Sequence, residues 1–481
     1  MGNKIWKVSN LRKTVNYVKK NGVRHAFYAA KERIEEARKA DYYYKEPSDE
    51  VLKAQRRKSK NYPELFSIVV PAYETKETFL REMIASVRRQ SYTKWELIIA
   101  DASIGRGVES VVEEIISKSG DCRMKYRRLA ENKGISCNTN AAIALAAGDY
   151  IALLDHDDFL APDALYQMAA QIQYAKQRGI MPALLYSDED KYDNNSSFYI
   201  NPHRKQEFNL DLIMSNNYIC HFMAVEAGLL KRLRLRREFD GAQDYDLVLR
   251  IVGELYKITP VQEMKDRIVH IPHILYHWRC HADSTAENAA SKTYAYEAGR
   301  AALTDFCSDR GWQVEVRHSL HLGFYDIVYQ PDILTVREDV GIVGGRILDA
   351  HGRICAGAMD VAGRCLYEGL YKEYSGGSTH RAAMKQDVLA VDIRCMRVRG
   401  ELQGEFEHIT GLPYRERTIR CGKGKHSARM KIADITGLTC DEAGYRKLSL
   451  ELSRAAWSQG YLVLWNPGML MSASGVGFSR N

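Results

Sequence analysis

The chain has 481 residues, 45% of them hydrophobic and 27% charged, which leaves room for about two or three domains and is typical of a soluble globular protein. No apolar run approaches the roughly 20 residues of a spanning helix, and the N-terminus lacks the apolar core of a signal peptide. The ten cysteines contain no CxxC pair, which argues against a zinc cluster and a secreted disulfide framework. We therefore expect a cytoplasmic protein.

The net charge of +8 is concentrated at the start of the chain. Residues 1–60 hold 17 Lys and Arg against 7 Asp and Glu, a net +10, so residues 61–481 carry −2. Since the body of the protein is nearly neutral, the overall charge does not indicate a nucleic-acid partner.

The basic N-terminal segment shows a short amphipathic helix pattern. Its apolar stripe consists of Val8, Leu11, Val15 and Val18. Its basic flanks are Arg12, Lys13, Lys19 and Lys20. Gly22 is expected to end the helix. Such a helix can lie on an anionic bilayer surface, where each basic group adds about 1 kcal/mol of attraction, or it can dock on its own domain with the basic face solvated.

From residue 66 the pattern changes to alternating strands and helices. The predicted strands are residues 66–71, 95–101, 124–129 and 150–154. The predicted helices between them are residues 79–87, 108–116 and 135–147. This alternation predicts an α/β fold with a Rossmann-like, doubly wound and mainly parallel sheet. Because the carboxyl ends of parallel strands share one edge, Tyr73, Asp101 and Asp155 should lie close together there.

The strand predicted at residues 150–154 ends in a cluster of carboxylates. Asp155, Asp157 and Asp158 fall within four residues and repel one another unless they are solvated or neutralised. A hard divalent cation that also holds a phosphate is one natural neutraliser. The alternative is that Asp157 or Asp158 caps the helix that begins near residue 161.

A second carboxylate, Asp101, follows the strand predicted at residues 95–101. At this position it can accept hydrogen bonds from a base or a ribose, and Asn132, Gly134 and Asn140 supply a turn and amides nearby. An isolated Asp after a strand more often caps a helix, so this interpretation depends on its convergence with the 155–158 cluster.

Together these residues carry a resemblance to the family 2 glycosyltransferases of the GT-A fold. The motifs that match the family are residues 70–73 (VPAY), 98–101 (IIAD), 132–136 (NKGIS) with Asn140, and 154–158 (LDHDD). The motifs that resemble its bacterial surface-polysaccharide subgroup are residues 186–191 (YSDEDK), 216–219 (NNYI), 241–247 (GAQDYDL) and 276–285 (YHWRCHADST). Order and spacing match from about residue 66 to residue 310, which is far more specific than any one motif.

The resemblance implies a UDP- or dTDP-linked sugar donor. The donor-binding residues would be Pro71, Tyr73, Asp101, Asn132, Gly134, Asn140, Asp155 and Arg279. Asp157 and His281 would bind Mg²⁺ or Mn²⁺, which would neutralise charge growing on the leaving diphosphate. Asp188 and Asp190 would orient sugar hydroxyls of acceptor or donor, although they could equally form a solvated turn.

Asp244 matches the position of the family's catalytic base, which takes the proton of the attacking acceptor hydroxyl. One base and one direct displacement imply inversion at the anomeric carbon. The alternative for Asp244 and Asp246 is capping of a helix at residues 245–253. Two departures from the family, Ala102 where many members have Gly and Thr139 where many have Arg, put the identity of the donor in question.

The C-terminal third carries a different signal. Residues 339–349 (DVGIVGGRILD) resemble the middle of a second transferase module, and residues 444–467 loosely echo residues 241–272. In this echo the position of the base falls on Lys447 or Ser449, neither of which is a carboxylate. A module without that base and without a nucleotide-binding half should not turn over substrate, so it is predicted to be a structural or acceptor-binding remnant.

These patterns predict three domains and one activity. The domains are residues 1–62 as a basic helical extension, 63–312 as the GT-A catalytic domain and 313–481 as a smaller degenerate α/β module. The activity is metal-dependent, inverting hexosyl or deoxyhexosyl transfer to a polyprenyl-diphosphate-linked glycan of the bacterial surface, with the enzyme bound to the anionic inner face of the plasma membrane. The alternatives are a non-catalytic glycan-binding or scaffold subunit of such an assembly and, more remotely, a nucleotidyltransferase.

Overall fold

The computed structural model describes residues 8–39, 42–280, 293–377, 379–421 and 428–473. Its α-helices are α1 (Val8–Lys39), α2 (Asp49–Lys58), α3 (Glu77–Arg88), α4 (Gly107–Ser119), α5 (Ile135–Leu145), α6 (Ala164–Gln177), α7 (Leu210–Ile213), α8 (Ala227–Leu233), α9 (Gln243–Tyr256), α10 (Met264–Arg267), α11 (Thr293–Ser308), α12 (Ile333–Val336), α13 (Gln403–Thr410) and α14 (Glu442–Ser458). Its strands are β1 (Phe66–Ala72), β2 (Trp95–Asp101), β3 (Met124–Arg128), β4 (Tyr150–Leu153), β5 (Phe159–Leu160), β6 (Leu184–Asp193), β7 (Phe198–His203), β8 (Met223–Glu226), β9 (Ile268–Cys280), β10 (Val314–His318), β11 (Tyr325–Tyr329), β12 (Val340–Leu348), β13 (Ile354–Ala356), β14 (Ala358–Met359), β15 (Gln386–Asp387), β16 (Ala390–Val391), β17 (Met396–Val398), β18 (Glu416–Cys421), β19 (Ala428–Ala433) and β20 (Leu462–Ser472).

The chain forms two compact units. The first unit contains Tyr42–Asn209 and Asn216–Gly311. The second unit contains Met1–Asp41, Leu210–Ser215 and Trp312–Asn481. The predicted domain boundaries at residues 62 and 312 stay predictions.

The first unit is built on a mixed sheet that, within the described residues, has nine strands. Its order is β3-β2-β1-β4-β8-β6-β9-β5, and β7 pairs with β6. The four strands β3, β2, β1 and β4 are all parallel, as the alternating sequence pattern predicts, and β6 and β9 form a long parallel pair. The short strand β8 runs antiparallel between β4 and β6. The predicted α/β class with a mainly parallel, doubly wound sheet is confirmed.

Burial explains why these residues form strands. All seven residues of β2 and six of the seven in β1 are buried, because helices cover both faces of a parallel sheet. On α3 the apolar residues recur every three or four positions, and Leu80, Met83 and Val87 are fully buried in the core.

The strand directions bring many polar segments to one edge of this sheet. The carboxyl ends of β1, β2, β4, β6 and β9 lie there, and so does the amino end of β8, because β8 runs in the opposite direction. This edge therefore gathers residues 155–158, 188–190, 221–222 and 277–279, although the chain separates the first and last by more than a hundred positions. We call it the carboxyl edge.

The second unit contains a smaller sheet of order β13-β12-β20-β15, with β17 also paired to β12. Here β12 pairs in parallel with β20 and antiparallel with β13 and β17. The same pattern surrounds β6, which pairs in parallel with β9 and antiparallel with β7 and β8. In both cases a long helix, α14 or α9, precedes the parallel partner in the chain. The predicted smaller α/β module is thus present.

The N-terminal helix α1 is interrupted at Gly22, whose backbone has a non-helical φ of 81°. Beyond this break, α1 is docked on residues 371–377 of the second unit. Glu32 accepts hydrogen bonds from the backbone N–H groups of Ser375, Gly376 and Gly377 at 2.8–3.1 Å, and Arg24 lies 2.8 Å from Glu373. Docking on its own domain therefore holds for this half of the helix. The side chains of Val8, Leu11 and Val15 in the predicted stripe lie outside the described residues, and Val18 is partly buried.

Across the part of the chain that the structure describes, every helix is too short or too polar to span a bilayer.

Candidate functional site

The loop after β4 is held in place by buried hydrogen bonds. Asp158 is 1% exposed and accepts hydrogen bonds from the Tyr276 hydroxyl at 2.5 Å and from the backbone N–H of Arg279 at 2.7 Å. Burial, with Asp157 and Asp155 nearby, raises the pKa of Asp158 well above its usual value. Asp158 therefore ties β4 to β9, and the residue at the N-cap of α6 is Asp163, so neither Asp157 nor Asp158 caps that helix.

Arg279, a predicted donor-binding residue, lies beneath this loop rather than on its surface. Its side chain is 1% exposed, and its Nε donates to the Asp157 carbonyl at 2.6 Å. The guanidinium also reaches Asn194 Oδ1 at 2.9 Å and Glu82 Oε2 at 2.6 Å. These contacts give Arg279 a structural task, holding the loop that carries Asp157, and its contact with a donor stays a prediction.

Asp155 stands at the carboxyl edge with 44% of its side chain exposed, facing His221. The His221 Nε2 lies 3.7 Å from Asp155 Oδ2, and its Nδ1 lies 3.5 Å from Glu189 Oε2. Desolvation by the surrounding protein, together with Asp157 and Asp244, raises the pKa of Asp155, while His221 opposes this shift.

His221 is the cation at the centre of this cluster. Burial alone would lower its pKa, but Glu189, Asp155 and Asp244 raise it to about 9. Its ring stacks on Tyr276 with centroids 4.9 Å apart, and its backbone N–H donates to Glu189 at 2.7 Å. A charged imidazole fixed at this point is therefore expected at neutral pH.

Glu189 is itself part of a buried ionic network. Its carboxylate is 10% exposed and lies 3.2 Å from His203 Nδ1 and 3.6 Å from Lys205 Nζ. Although burial would raise the pKa of Glu189, Lys205, His203 and His221 lower it well below its usual value. Glu189 thus stays ionised and anchors His221.

Asp244, the predicted base, is the second residue of α9 and reaches the same cluster. One carboxylate oxygen accepts the backbone N–H of Tyr245 at 2.8 Å, and the other accepts Asn217 Nδ2 at 3.3 Å. Asp244 also contributes to the raised pKa of the Cys220 thiol, whose hydrogen bond is to Met223 Sδ at 3.8 Å. Asp244 raises the pKa of both Asp155 and His221, so the three groups interact electrostatically.

Asp246 has a different environment from Asp244. It is fully buried and accepts hydrogen bonds from both Arg236 and Arg250, with Arg250 Nη2 at 2.7 Å. It therefore forms a structural ion-pair network and does not cap α9, whose N-cap is Ala242.

The two carboxylates predicted to orient sugar hydroxyls lie inside the sheet. Asp188 is 1% exposed and binds His270 Nε2 at 2.7 Å, while Asp190 is fully buried and binds His277 Nδ1 and the Tyr42 hydroxyl, both at 2.6 Å. The solvated-turn alternative is wrong, since β6 continues through these residues between β7 and β9. Their contact with a sugar stays a prediction.

Asp101 lies at the end of β2 and is fully buried. It accepts hydrogen bonds from the Ser103 backbone N–H at 2.9 Å and the Tyr126 hydroxyl at 2.7 Å, and Arg128 lies 3.7 Å away. It is not a helix cap, because α4 begins after Arg106. Asp101 shapes the loop after β2, next to which Tyr73 is 41% exposed at the end of β1.

The remaining predicted donor residues shape the start of α5. Asn132 Oδ1 accepts the Gly134 backbone N–H at 3.1 Å, and Gly134 precedes α5 with φ of 92°. This positive φ favours Gly, and a Cβ here would lie 2.4 Å from the Asp240 carboxylate, which would have to move. Asn140 binds the backbone of Leu235 through both ends of its amide, at 2.8 and 2.9 Å.

Pro71, also a predicted donor residue, lies inside β1 opposite Ala100 of β2, one position before the strand ends. Its donor contact, like those of Asn132, Gly134 and Asn140, stays a prediction.

Only part of the predicted metal site belongs to the described residues. His281 lies outside the described residues, and among those described no group of three or more His, Cys, Asp or Glu is arranged to hold a metal ion. The partly exposed Asp155 and Asp157 nevertheless fit a hard cation, since Mg²⁺ commonly takes only one or two protein carboxylates and completes its shell with substrate phosphates and water.

Sequence reasoning missed four residues of this cluster: Glu189, Asn217, Cys220 and His221. A signal existed in the NNYI motif at residues 216–219, which matched the family without an assigned role. Nothing in the periodicity indicated that the next strand would run antiparallel and so bring residues 217–221 to the carboxyl edge.

Comparisons with known proteins show to which proteins this chain is similar. The model of the family Glycosyl transferase family 2 matches residues 67–234. The uncharacterized protein y4gI of Sinorhizobium fredii is 39% identical over 252 residues, 52% of this chain and 26% of its own length. The O-antigen biosynthesis protein RfbC of Myxococcus xanthus is 33% identical over 254 residues, 52% of this chain and 19% of its own length.

This chain matches a third relative over most of that relative's length. WcaA of Escherichia coli (strain K12), named for colanic acid biosynthesis, is 31% identical over 219 residues, 44% of this chain and 75% of its own length. The chain matches only about a quarter and a fifth of the first two relatives, which are therefore much longer than the matched region.

Proposed function

Because the chain belongs to glycosyl transferase family 2 and its first unit has the GT-A fold, we propose that this unit moves a sugar from a nucleoside-diphosphate donor to a bacterial surface polysaccharide. The observation that carries the proposal is the convergence of Asp155, His221 and Asp244 at the carboxyl edge, where ligands of open α/β sheets bind. The names of RfbC and WcaA, which concern O-antigen and colanic acid, support a polysaccharide as the product.

The proposed reaction is a single displacement with inversion. The acceptor hydroxyl oxygen attacks the anomeric carbon as the bond from that carbon to the diphosphate oxygen breaks, and Asp244 takes the hydroxyl proton. The electron pair of the broken bond leaves with the nucleoside diphosphate. The partly exposed Asp244 lies at the first turn of α9, where it can meet a hydroxyl from solvent.

The donor side of the proposal rests on Asp155 and Asp157. A Mg²⁺ or Mn²⁺ ion held by Asp157, and by His281 if that residue reaches it, would neutralise charge on the leaving diphosphate. His221, which faces Asp155 at 3.7 Å, supplies fixed positive charge within the same cluster. A UDP- or dTDP-linked hexose or deoxyhexose is the proposed donor.

We place the acceptor on a polyprenyl diphosphate at the inner face of the plasma membrane. The net charge of +10 in residues 1–60 supports attraction to anionic lipid. On the docked half of α1, Val23, Phe27 and Ile34 remain 74%, 63% and 51% exposed. Apolar and basic groups on one segment supply both forces that hold a protein at a bilayer surface.

A donor screen tests the proposal. The full chain is incubated with UDP- and dTDP-linked sugars, with nitrophenyl glycosides as acceptors, in EDTA or with added Mn²⁺, and release of the nucleoside diphosphate is measured. We expect release that needs an acceptor and Mn²⁺ or Mg²⁺. Binding of glycosides without turnover of any donor would instead favour the non-catalytic glycan-binding alternative.

A further inference from the structure

Arg346 lies near the carboxyl end of β12, the central strand of the second unit, and its guanidinium is only partly used by the protein. Nη1 donates to the Lys372 carbonyl at 2.9 Å. Nε is buried and has no hydrogen-bond partner among the described residues. Because a guanidinium carries five N–H donors, this arginine keeps donors that its surroundings do not satisfy.

Two buried arginines of the same unit show what a satisfied guanidinium looks like here. Arg337 donates through Nε and Nη2 to the two carboxylate oxygens of Asp339, both at 2.6 Å. Arg394 donates in the same way to Asp392, both at 2.8 Å. This paired arrangement is the one in which a guanidinium holds a carboxylate or a phosphate. Within the described part of the chain, no carboxylate forms an ion pair with Arg346.

The carboxylate that influences Arg346 is Glu373, and it is already engaged. Glu373 lies 2.8 Å from Arg24, with which it forms an ion pair. Burial lowers the pKa of Arg346 to about 10, in spite of the opposing effect of Glu373. A positive charge that is withdrawn from water without its own counter-charge costs free energy, so it calls for a functional reason.

The backbone is also irregular at Arg346. The register of β12 with β20 shifts here, so that Gly344 pairs with Trp465 and Arg346 pairs with Leu470. In the first unit the register of β6 with β9 shifts in the same way at residues 187–189, beside the carboxyl edge. Such irregularities redirect side chains and are frequent next to ligand sites. Arg346 therefore lies where ligands of α/β sheets bind, near the carboxyl end of a central strand.

We propose that Arg346 forms part of a site in the second unit that binds an oxyanion, either a phosphate or a carboxylate group. The residue is partly exposed, so such a group can approach from solvent, and a turn of the guanidinium about its side-chain bonds would present Nε to it. The ligand would then supply the counter-charge that the protein does not.

Two parts of a glycan acceptor carry an oxyanion: the diphosphate of a lipid carrier and the carboxylate of an acidic sugar. These two sources rest on the proposed function, whereas the site itself does not. The site favours acceptor binding over a purely structural role for the second unit.

The test measures binding of inorganic pyrophosphate and of glucuronate to the full chain by isothermal titration calorimetry. EDTA is present, so that no divalent cation carries pyrophosphate to the first unit. The variants are Arg346→Gln, which removes the charge, and Arg346→Lys, which keeps the charge and loses the paired geometry. The matched control is Arg353→Gln, an exposed arginine of the same unit that lies 2.9 Å from Asp349.

We expect wild-type protein to bind at least one probe and Arg346→Gln to bind it roughly 10- to 100-fold more weakly, the value of hydrogen bonds between charged groups. Arg346→Lys should fall between the two, and Arg353→Gln should match wild type. Binding of pyrophosphate alone would identify the phosphate source, and binding of glucuronate alone the acidic sugar. Absence of binding to both probes, or wild-type affinity in Arg346→Gln, would overturn the proposal.

A further variant separates this site from the donor site of the first unit. Asp157→Ala, which lacks the proposed carboxylate ligand of the cation, should bind the probe as wild-type protein does, whatever its transferase activity. Loss of binding in Asp157→Ala but not in Arg346→Gln would place the probe in the first unit and contradict the proposal. Thermal unfolding identifies a variant that does not fold. If Arg346→Gln fails to fold, Arg346→Lys decides, and wild-type affinity in that variant would overturn the proposal.

Discussion

The two units share a strand pattern but carry different side chains at the same point of it. In the first unit the central strand is β6 and β8 is an antiparallel partner; in the second unit the central strand is β12 and β17 is an antiparallel partner. His221 lies two residues before β8, and Arg394 lies two residues before β17. Arg394 is 1% exposed and makes paired hydrogen bonds to Asp392 at 2.8 Å and to Glu442, the first residue of α14, at 2.6 and 3.0 Å. In the second unit, then, the Glu442 carboxylate at the start of α14 forms an ion pair with Arg394.

In the first unit the corresponding groups are paired less closely. His221 lies 3.7 Å from Asp155 and 3.5 Å from Glu189, Asp155 is partly exposed, and Asp244 accepts hydrogen bonds from the Tyr245 backbone N–H and the Asn217 amide. A site that must receive charged and hydroxyl groups needs partners that are not fully paired, whereas a structural ion pair needs none. The comparison explains how one pattern can serve catalysis in one unit and stability in the other.

The largest expected effect follows from removing Asp157. Asp157→Ala should abolish turnover, because it removes the proposed carboxylate ligand of the cation, and it should leave the fold intact because the side chain is partly exposed. Nucleoside diphosphate release with added Mn²⁺, together with circular dichroism, checks both expectations. A fully active Asp157→Ala protein would refute the metal assignment.

The second prediction distinguishes the role of α1 from the role of residues 42–60, which pack on the first unit. Tyr42 donates to Asp190 at 2.6 Å, the Tyr44 ring lies 4.5 Å from the His277 ring, and Gln55 in α2 is buried against Asp163. Removal of residues 1–60 should therefore destabilise the first unit and lower activity. Removal of residues 1–41 should spare transfer to a soluble acceptor.

Flotation with vesicles of anionic or neutral lipid completes this experiment. The protein that lacks residues 1–41 should no longer float with anionic vesicles, and added salt should weaken binding of the intact protein, since surface charges are screened over about 8 Å at physiological ionic strength. Binding that ignores both truncation and salt would contradict the proposed membrane attachment.

The smallest effect on activity is expected in the second unit. Arg394→Met leaves Asp392 buried without its partner and should destabilise that unit by about 3–5 kcal/mol, while kcat at low temperature stays near wild type. Thermal unfolding followed by calorimetry measures the first effect, and the donor assay the second. An unchanged melting temperature would show that this ion pair contributes nothing.

The sequence pattern predicted the local elements well and the convergence of the site only in part. The predicted strand at residues 95–101 coincides with β2, because seven successive residues that are buried on both faces leave a clear apolar run. The nearness of Asp244 to Asp155 followed from the family resemblance, and their electrostatic interaction agrees with it. The first feature depends on a pattern that is local in the chain, and the second on motifs of the family.

Features that depend on long-range pairing could not be read from the chain. The DED run at residues 188–190 is polar and suggested a surface turn, but β6 continues through it, and His270 and His277 from β9 bury Asp188 and Asp190. Arg279 was predicted from the resemblance to bind the donor, and the rings of Phe79 and Phe159 lie 4.6 and 5.0 Å from its guanidinium. In each case the partner comes from a distant strand or helix.

The most direct test of the account substitutes the helix carboxylates of the two units in parallel. Asp244→Asn keeps the shape of the side chain and removes its basicity, so it should lower transfer by about 10²- to 10⁴-fold while UDP binding persists. Glu442→Gln in α14 should leave both transfer and UDP binding at the wild-type level. An active Asp244→Asn protein, or equal loss of transfer in Glu442→Gln, would contradict a single catalytic site at the carboxyl edge of the first unit.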